Sequence, residues 1–294
     1  MAISRVEVND YRVFKGEFTA DFCSGVNVII GGNGTGKTTL MRAIYSDFEH
    51  DNNREIGLHS YQGRVNVFKS DSEITERIFI PEKDMLSHSR GLLPLWNERN
   101  LPYMKYEIDI LSKAQMPETR VVKPNAANLI DKIKNIIGGE VVYENDEFFT
   151  MKENGEKILF CLEASGFRKF GLLWRLLRNG LLETGSVLMW DEPENSINPE
   201  LVPVLVDILL ELAQNGVQIF IATHDYEVAR YFDVRKKRSI PVMFYNFSKS
   251  SDGHISCTSS DEYIKVPDNL FESAGKAMFK AVAAFGFGIE NDDE

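Results

Sequence analysis

The sequence predicts an α/β fold on a mixed sheet, with an antiparallel β subdomain and a helical insertion. Three observations carry that prediction. A glycine-rich turn, Gly31 to Thr38, lies between an apolar run and a helical pattern. A second apolar run, Val187 to Trp190, ends in paired carboxylates at Asp191 and Glu192. From that run, a helical pattern over 201–214 leads to a third apolar run at 217–222, the spacing of a right-handed crossover between parallel strands.

Residues 3–30 are expected to hold short strands. Ile3–Val8 alternates apolar and polar, Tyr11–Phe14 reads as a second strand, and Val26–Ile30 is an apolar run interrupted only by Asn27. The next residues spell GxxxxGK[ST], a complete phosphate-binding P-loop, and a helix beginning Thr39-Leu40-Met41 follows. Strand, glycine turn and helix in that order are the context such a motif requires. Glycines let the backbone wrap so that its N–H groups face a polyphosphate, and the helix N-terminus adds partial positive charge. Gly32-Asn33-Gly34-Thr35-Gly36-Lys37-Thr38-Thr39 are therefore the expected contacts of a nucleoside triphosphate, ATP. Lys37 is expected to reach the β- and γ-phosphates, and the Thr38 hydroxyl to ligate Mg²⁺.

From about residue 46 the pattern loosens, and a helical lid over 46–138 is expected. It holds the polar stretch Asp51–Glu55, a strand at Arg77–Ile80 stopped by Pro81, and irregular helices broken by Pro94, Pro102, Pro117 and Pro124. Residues 140–143, 147–151 and 157–162 read as a meander turning at Asn145-Asp146 and Asn154-Gly155. A long helix follows, with Phe167, Phe170, Trp174, Leu177 and Leu181 on its apolar face. Asn198 and Pro199 suit the start of the helix Leu201–Gln214, and Gly216 its end. The acidic tail 289–294 is expected to fray.

Composition bounds the function. The chain has 294 residues, 43% hydrophobic and 26% charged, ordinary values for one large globular domain. Net charge is −11, which argues against gripping nucleic acid by general electrostatics. No run approaches the roughly 18 continuous apolar residues of a membrane span. Met1–Arg5 lacks the apolar core of a secretory signal. Cys23, Cys161 and Cys257 are odd in number and scattered, which suits buried thiols in a reducing cytoplasm.

The run ending Asp191-Glu192 has the Walker B pattern. In a parallel sheet the nucleotide lies at the carboxyl ends of strands, where Asp191 would meet Mg²⁺ and Glu192 would polarise water. Asp191 through Pro199, Asp-Glu-Pro-Glu-Asn-Ser-Ile-Asn-Pro, resembles the Walker B and D-loop segment of ABC-type ATPases. Its form is similar to that of the soluble RecF/SMC/OLD-like branch of AAA family ATPases. Thr223-His224-Asp225 matches that branch's switch histidine. Glu163 to Arg168 stands where the branch carries its signature, keeping the pair Ser165-Gly166 at a helix start. Asn9 to Lys15 resembles the segment ahead of the P-loop.

The resemblance implies a single ABC-type P-loop NTPase head over 1–294, with ATP and Mg²⁺ as its ligands. It implies a homodimer, or a higher homo-oligomer, that sandwiches nucleotide. Ser165 and Gly166 would face the nucleotide held by the partner chain. Lys37, Glu192 and His224 would be catalytic, and Thr38 and Asp191 would hold the metal. The Q-loop glutamine is missing, with Glu82 or Lys83 standing at its place. His50, His59, His88 and His254 lack comparable context and read as structural or surface residues.

About 70 residues follow His224, too few for an appended Toprim nuclease domain. The output is therefore expected in a separate effector, a nuclease or toxin acting in antiphage defence or DNA maintenance. Arg168, Lys169, Arg175, Arg178 and the run Arg235–Arg238 leave DNA open as a partner, against the bland reading of a solvated helix face and turn cluster. Two other classes stay open: the ATP-binding subunit of a membrane transporter, and a non-hydrolysing nucleotide-sensing scaffold.

Overall fold

The computed structural model describes residues 2–46, 63–70, 74–99, 101–267 and 270–287. The chain opens with β1 (Ile3–Asn9), β2 (Glu17–Asp21) and β3 (Val26–Gly31), followed by α1 (Lys37–Ser46). Then come β4 (Arg64–Lys69), β5 (Glu76–Ile80), α2 (Leu92–Arg99), α3 (Lys105–Gln115) and α4 (Pro124–Ile137). The strands β6 (Gly139–Glu144), β7 (Glu147–Lys152) and β8 (Lys157–Leu159) form the expected meander. Next are α5 (Ser165–Arg178), β9 (Ser186–Asp191), α6 (Val202–Gln214), β10 (Gln218–Ala222) and α7 (Tyr226–Arg235). The described chain closes with β11 (Val242–Lys249), β12 (Ile255–Ser260) and α8 (Leu270–Phe287).

The main sheet has the order β12-β11-β3-β10-β9-β5 among the described residues. All its pairings are parallel except that of β12 with β11. Every residue of β3, β9 and β10 is buried, as befits parallel strands covered on both faces. Successive side chains point to opposite faces. Leu188, Trp190, Ile219 and Ile221 enter the core shared with α3 to α6. Val187, Met189 and Phe220 face α1 and the antiparallel sheet β2-β1-β4. Phe170, Leu173, Trp174 and Leu177 form a buried stripe on α5 at i, i+3, i+4 and i+7. Each large apolar side chain so covered contributes roughly 1.5–3 kcal/mol.

Register sets the site. Ala222 pairs with Asp191 on one side and with Ile29 on the other. The glycine turn, the paired acids and His224 therefore leave the sheet along one edge, at the carboxyl ends of adjacent strands.

The structure departs from expectation in places. Tyr11–Phe14 is a turn and not a strand. Asp10 and Arg12 take φ of 48° and 53°, Gly16 takes 68°, and the strand begins only at Glu17. The Asp10 carboxylate accepts the Gly16 N–H at 2.8 Å, closing the loop. Within 46–138, the described part supplies β4 to the antiparallel sheet and β5 to the edge of the main sheet. Its α-helices begin only at Leu92. Asp51–Glu55, His50, His59 and the tail 289–294 lie outside the described residues. Among the described residues no helix is long and apolar enough to cross a membrane.

Candidate functional site

The glycine turn is shaped by positions that only glycine fills easily. Gly31, Gly34 and Gly36 have φ of 147°, 75° and 92°, in the region that L side chains avoid. At Gly36 a β-carbon would stand 2.8 Å from the Phe14 ring. The preceding turn thus packs its aromatic directly against the loop. Thr35 Oγ1 donates to the Gly32 carbonyl at 2.9 Å, bracing the loop from within.

Lys37 opens α1 and its stem is buried. Its ammonium donates to the carbonyls of Gly31 (2.7 Å) and Gly32 (3.1 Å), which places the cation in the mouth of the loop. Burial lowers its pKa, opposed by the charges of Glu192, Asp191 and Glu194. Thr38 Oγ1 donates to Asp191 Oδ1 at 3.0 Å across 153 residues of sequence. Burial raises the Asp191 pKa, and the Thr38 hydrogen bond works the other way. A hydroxyl and a carboxylate in contact are the hard oxygen donors Mg²⁺ takes from protein when phosphates and water complete its shell. These residues fit the metal.

After Asp191 the chain turns sharply. Glu192 has φ 48° and Ser196 φ 63°. The Glu192 N–H donates to Ala222 O at 2.9 Å, carrying the β-ladder one residue further. Glu192 Oε1 lies 2.9 Å from His224 Nδ1. The two residues expected to act on attacking water and γ-phosphate therefore touch. Thr223 Oγ1 donates to Glu194 Oε1 at 2.5 Å and accepts the Asp225 N–H at 2.9 Å. Asp225 in turn caps α7 by accepting the N–H groups of Glu227 and Val228. His224 is thus held between two anchored neighbours.

Ser165 is the first residue of α5, and Ala164 occupies the capping position. The Ser165 hydroxyl donates to Ser196 O at 3.3 Å. Asn198 accepts the Glu200 N–H at 3.2 Å, capping a single 3₁₀ turn ahead of α6. Glu82 accepts from Asn195 Nδ2 at 2.8 Å, and Lys83 lies 4.3 Å over the Tyr103 ring. Of the two Q-loop candidates, Glu82 therefore meets the turn after Walker B. The segment 81–86, the start of α5 and Asn195-Ser196 enclose a cavity of about 130 Å³.

The basic residues on α5 do not form an outward patch. Arg168 pairs with Asp84 at 2.9 Å, and Arg175 and Arg178 both pair with Glu118. Lys169 turns to the carbonyls of Glu192 and Pro193. Lys169 lies four residues after Ser165, on the same helix face. Arg235 pairs with Asp207 at 2.6 Å. His254 Nδ1 meets the Lys15 carbonyl at 3.0 Å, away from the paired acids.

Comparison with known proteins adds a family. Residues 1–85 match the model described as "AAA ATPase domain". Residues 87–230 match "AAA domain, putative AbiEii toxin, Type IV TA system". Among curated proteins, the glutamine transport ATP-binding protein GlnQ of Geobacillus stearothermophilus is 22% identical, over 75% of this chain and 78% of its own length. Among solved structures, the SMC head bound to the C-winged helix domain of ScpA aligns with a TM-score of 0.55 and 11% identity, over 92% of this chain and all of that one. The SMC head domain from Thermotoga maritima aligns with a TM-score of 0.51 and 15% identity, over 88% and 99% of the two chains. At these identities the solved structures speak for the fold.

Proposed function

Given that the chain belongs to the ABC/SMC-like AAA ATPases, we propose that it binds and hydrolyses Mg²⁺–ATP in the cytoplasm, as a head-to-tail dimer that gates a separate effector. The contact of Thr38 with Asp191, 153 residues apart and 3.0 Å distant, is the observation that carries this reading. It brings the phosphate loop and the Walker B strand end to one point.

Each residue then has a task. The N–H groups of the glycine turn cradle the phosphates, and the Lys37 ammonium turns from its two carbonyls to the β- and γ-oxygens. Thr38 and Asp191 would hold Mg²⁺, which when bound neutralises charge on the phosphate oxygens. Glu192 orients a water in line with the γ-phosphorus and accepts its proton. His224, already against Glu192, reads the same phosphate. Ser165 and Gly166, at the N-terminus of α5, face the γ-phosphate held by the partner chain. Catalysis of this kind is mostly positioning and charge stabilisation.

The toxin–antitoxin wording of the family model supports an effector partner; on this reading that partner is a nuclease or toxin in antiphage defence or DNA maintenance. The test is Glu192→Gln. It should abolish phosphate release, keep ATP binding and accumulate an ATP-dependent dimer on gel filtration. Wild-type protein that releases no phosphate under any condition tried would leave a nucleotide-sensing scaffold instead.

The transport ATP-binding relatives favour a second reading, the ATP-binding subunit of a transporter. Copurification with a membrane protein would select it.

A further inference from the structure

Helix α5 touches the turn after Walker B at both ends. Ser165 Oγ donates to Ser196 O, and a β-carbon on Gly166 would stand 3.3 Å from that oxygen and 3.4 Å from Ile197 Cα. One helical turn later, Lys169 Nζ donates to Glu192 O at 2.8 Å and Pro193 O at 3.1 Å. Ser165 and Lys169 are i and i+4 neighbours. A single face of α5 therefore spans residues 192–197.

Those carbonyls are not incidental. Glu192 holds φ 48°, a conformation unfavourable for any residue with a β-carbon unless its surroundings impose it. Three bonds impose it here. Glu192 N–H donates to Ala222 O, Glu192 O accepts from Asn195 N–H at 3.2 Å, and Glu192 O accepts from Lys169. The first ties the turn to β10 and the last ties it to α5. Together they fix the backbone that aims the Glu192 carboxylate at His224.

We propose that Lys169 is a positioning residue, holding the Glu192 and Pro193 carbonyls so that the aim of the Glu192 carboxylate follows the placement of the first turn of α5. The inference rests on the reading above, in which Glu192 activates water. Burial lowers the Lys169 pKa to about 8, opposed by the charges of Glu194, Glu82, Glu192 and Asp84. The ammonium form, the stronger donor, thus prevails at neutral pH.

Lys169→Met keeps the buried stem and removes the donors, whereas Lys169→Arg keeps a cation. Phosphate release and Mg²⁺–ATP affinity are measured on the full chain, wild type first. Lys169→Met should lower kcat about tenfold to a hundredfold, with KM and Kd for ATP within about twofold of wild type. Lys169→Arg should recover most of that loss. Wild-type kcat in Lys169→Met overturns the inference while leaving hydrolysis standing. So does joint loss of kcat, nucleotide binding and thermal stability, since the lysine would then be supporting the fold. Absence of turnover in the wild type removes the hydrolytic reading and this inference with it.

Discussion

His224 Nδ1 stands 2.9 Å from Glu192 Oε1, joining residues from the ends of two adjacent parallel strands. The contact orients each group against the other. A preorganised hydrogen bond to charge developing on a transferring group is worth about 10²–10³-fold in rate. His224→Ala should therefore lower turnover about a hundredfold while leaving ATP affinity within about threefold of wild type. Phosphate-release assays beside fluorescent-nucleotide titration read the two quantities. An unchanged kcat would remove His224 from the mechanism.

Asp191 and Thr38 make a metal-dependence prediction. Asp191→Asn keeps the side-chain size and an oxygen for the Thr38 hydroxyl, but loses the charge that a divalent cation requires. Its ATP affinity should fall about tenfold or more in Mg²⁺ and stay near wild type in EDTA. Equal losses under both conditions would assign the carboxylate to the loop's architecture.

At Gly36 the prediction concerns stability. An alanine must adopt φ near 92° and place its methyl 2.8 Å from the Phe14 ring. Left-handed backbone and overpacking together should cost about 2–4 kcal/mol in urea unfolding. A Gly36→Ala protein of wild-type stability would mean that the aromatic can swing aside.

The parts of this site legible in the sequence are those made by short local geometry. The glycine turn needs its glycines at fixed offsets, and β9 announces itself as an apolar run ending in acids. The 11–14 segment misled because Tyr-Arg-Val-Phe has strand composition. Left-handed Asp10 and Arg12 and the Asp10–Gly16 bond decide for a turn, and a window of four residues does not show them. β11 and β12 were also hidden, since they become strands by pairing onto β3 and onto each other. The role of Lys169 was concealed in another way. A basic residue on an amphipathic helix reads as solvated or nucleic-acid-facing unless its carbonyl partners, 23 and 24 positions away, are known.

Glu194 supplies a pH-dependent prediction. Its Oε1 accepts from Thr223, but Oε2 is buried with no hydrogen-bond partner among the described residues. Burial raises its pKa, and the Thr223 bond only partly offsets this. A carboxyl whose pKa is higher folded than unfolded binds protons more tightly in the native state. Its contribution to stability therefore falls as pH rises from its unfolded value, roughly pH 4, through its folded one. Glu194→Gln keeps an acceptor for Thr223 and removes the buried charge. The variant should melt higher than wild type at neutral pH, and its advantage should shrink as pH falls toward about 4. Melting curves across that range decide the matter. A variant less stable than wild type at neutral pH would show that the carboxylate is compensated, with Lys169 the nearest candidate by its electrostatic influence on both groups.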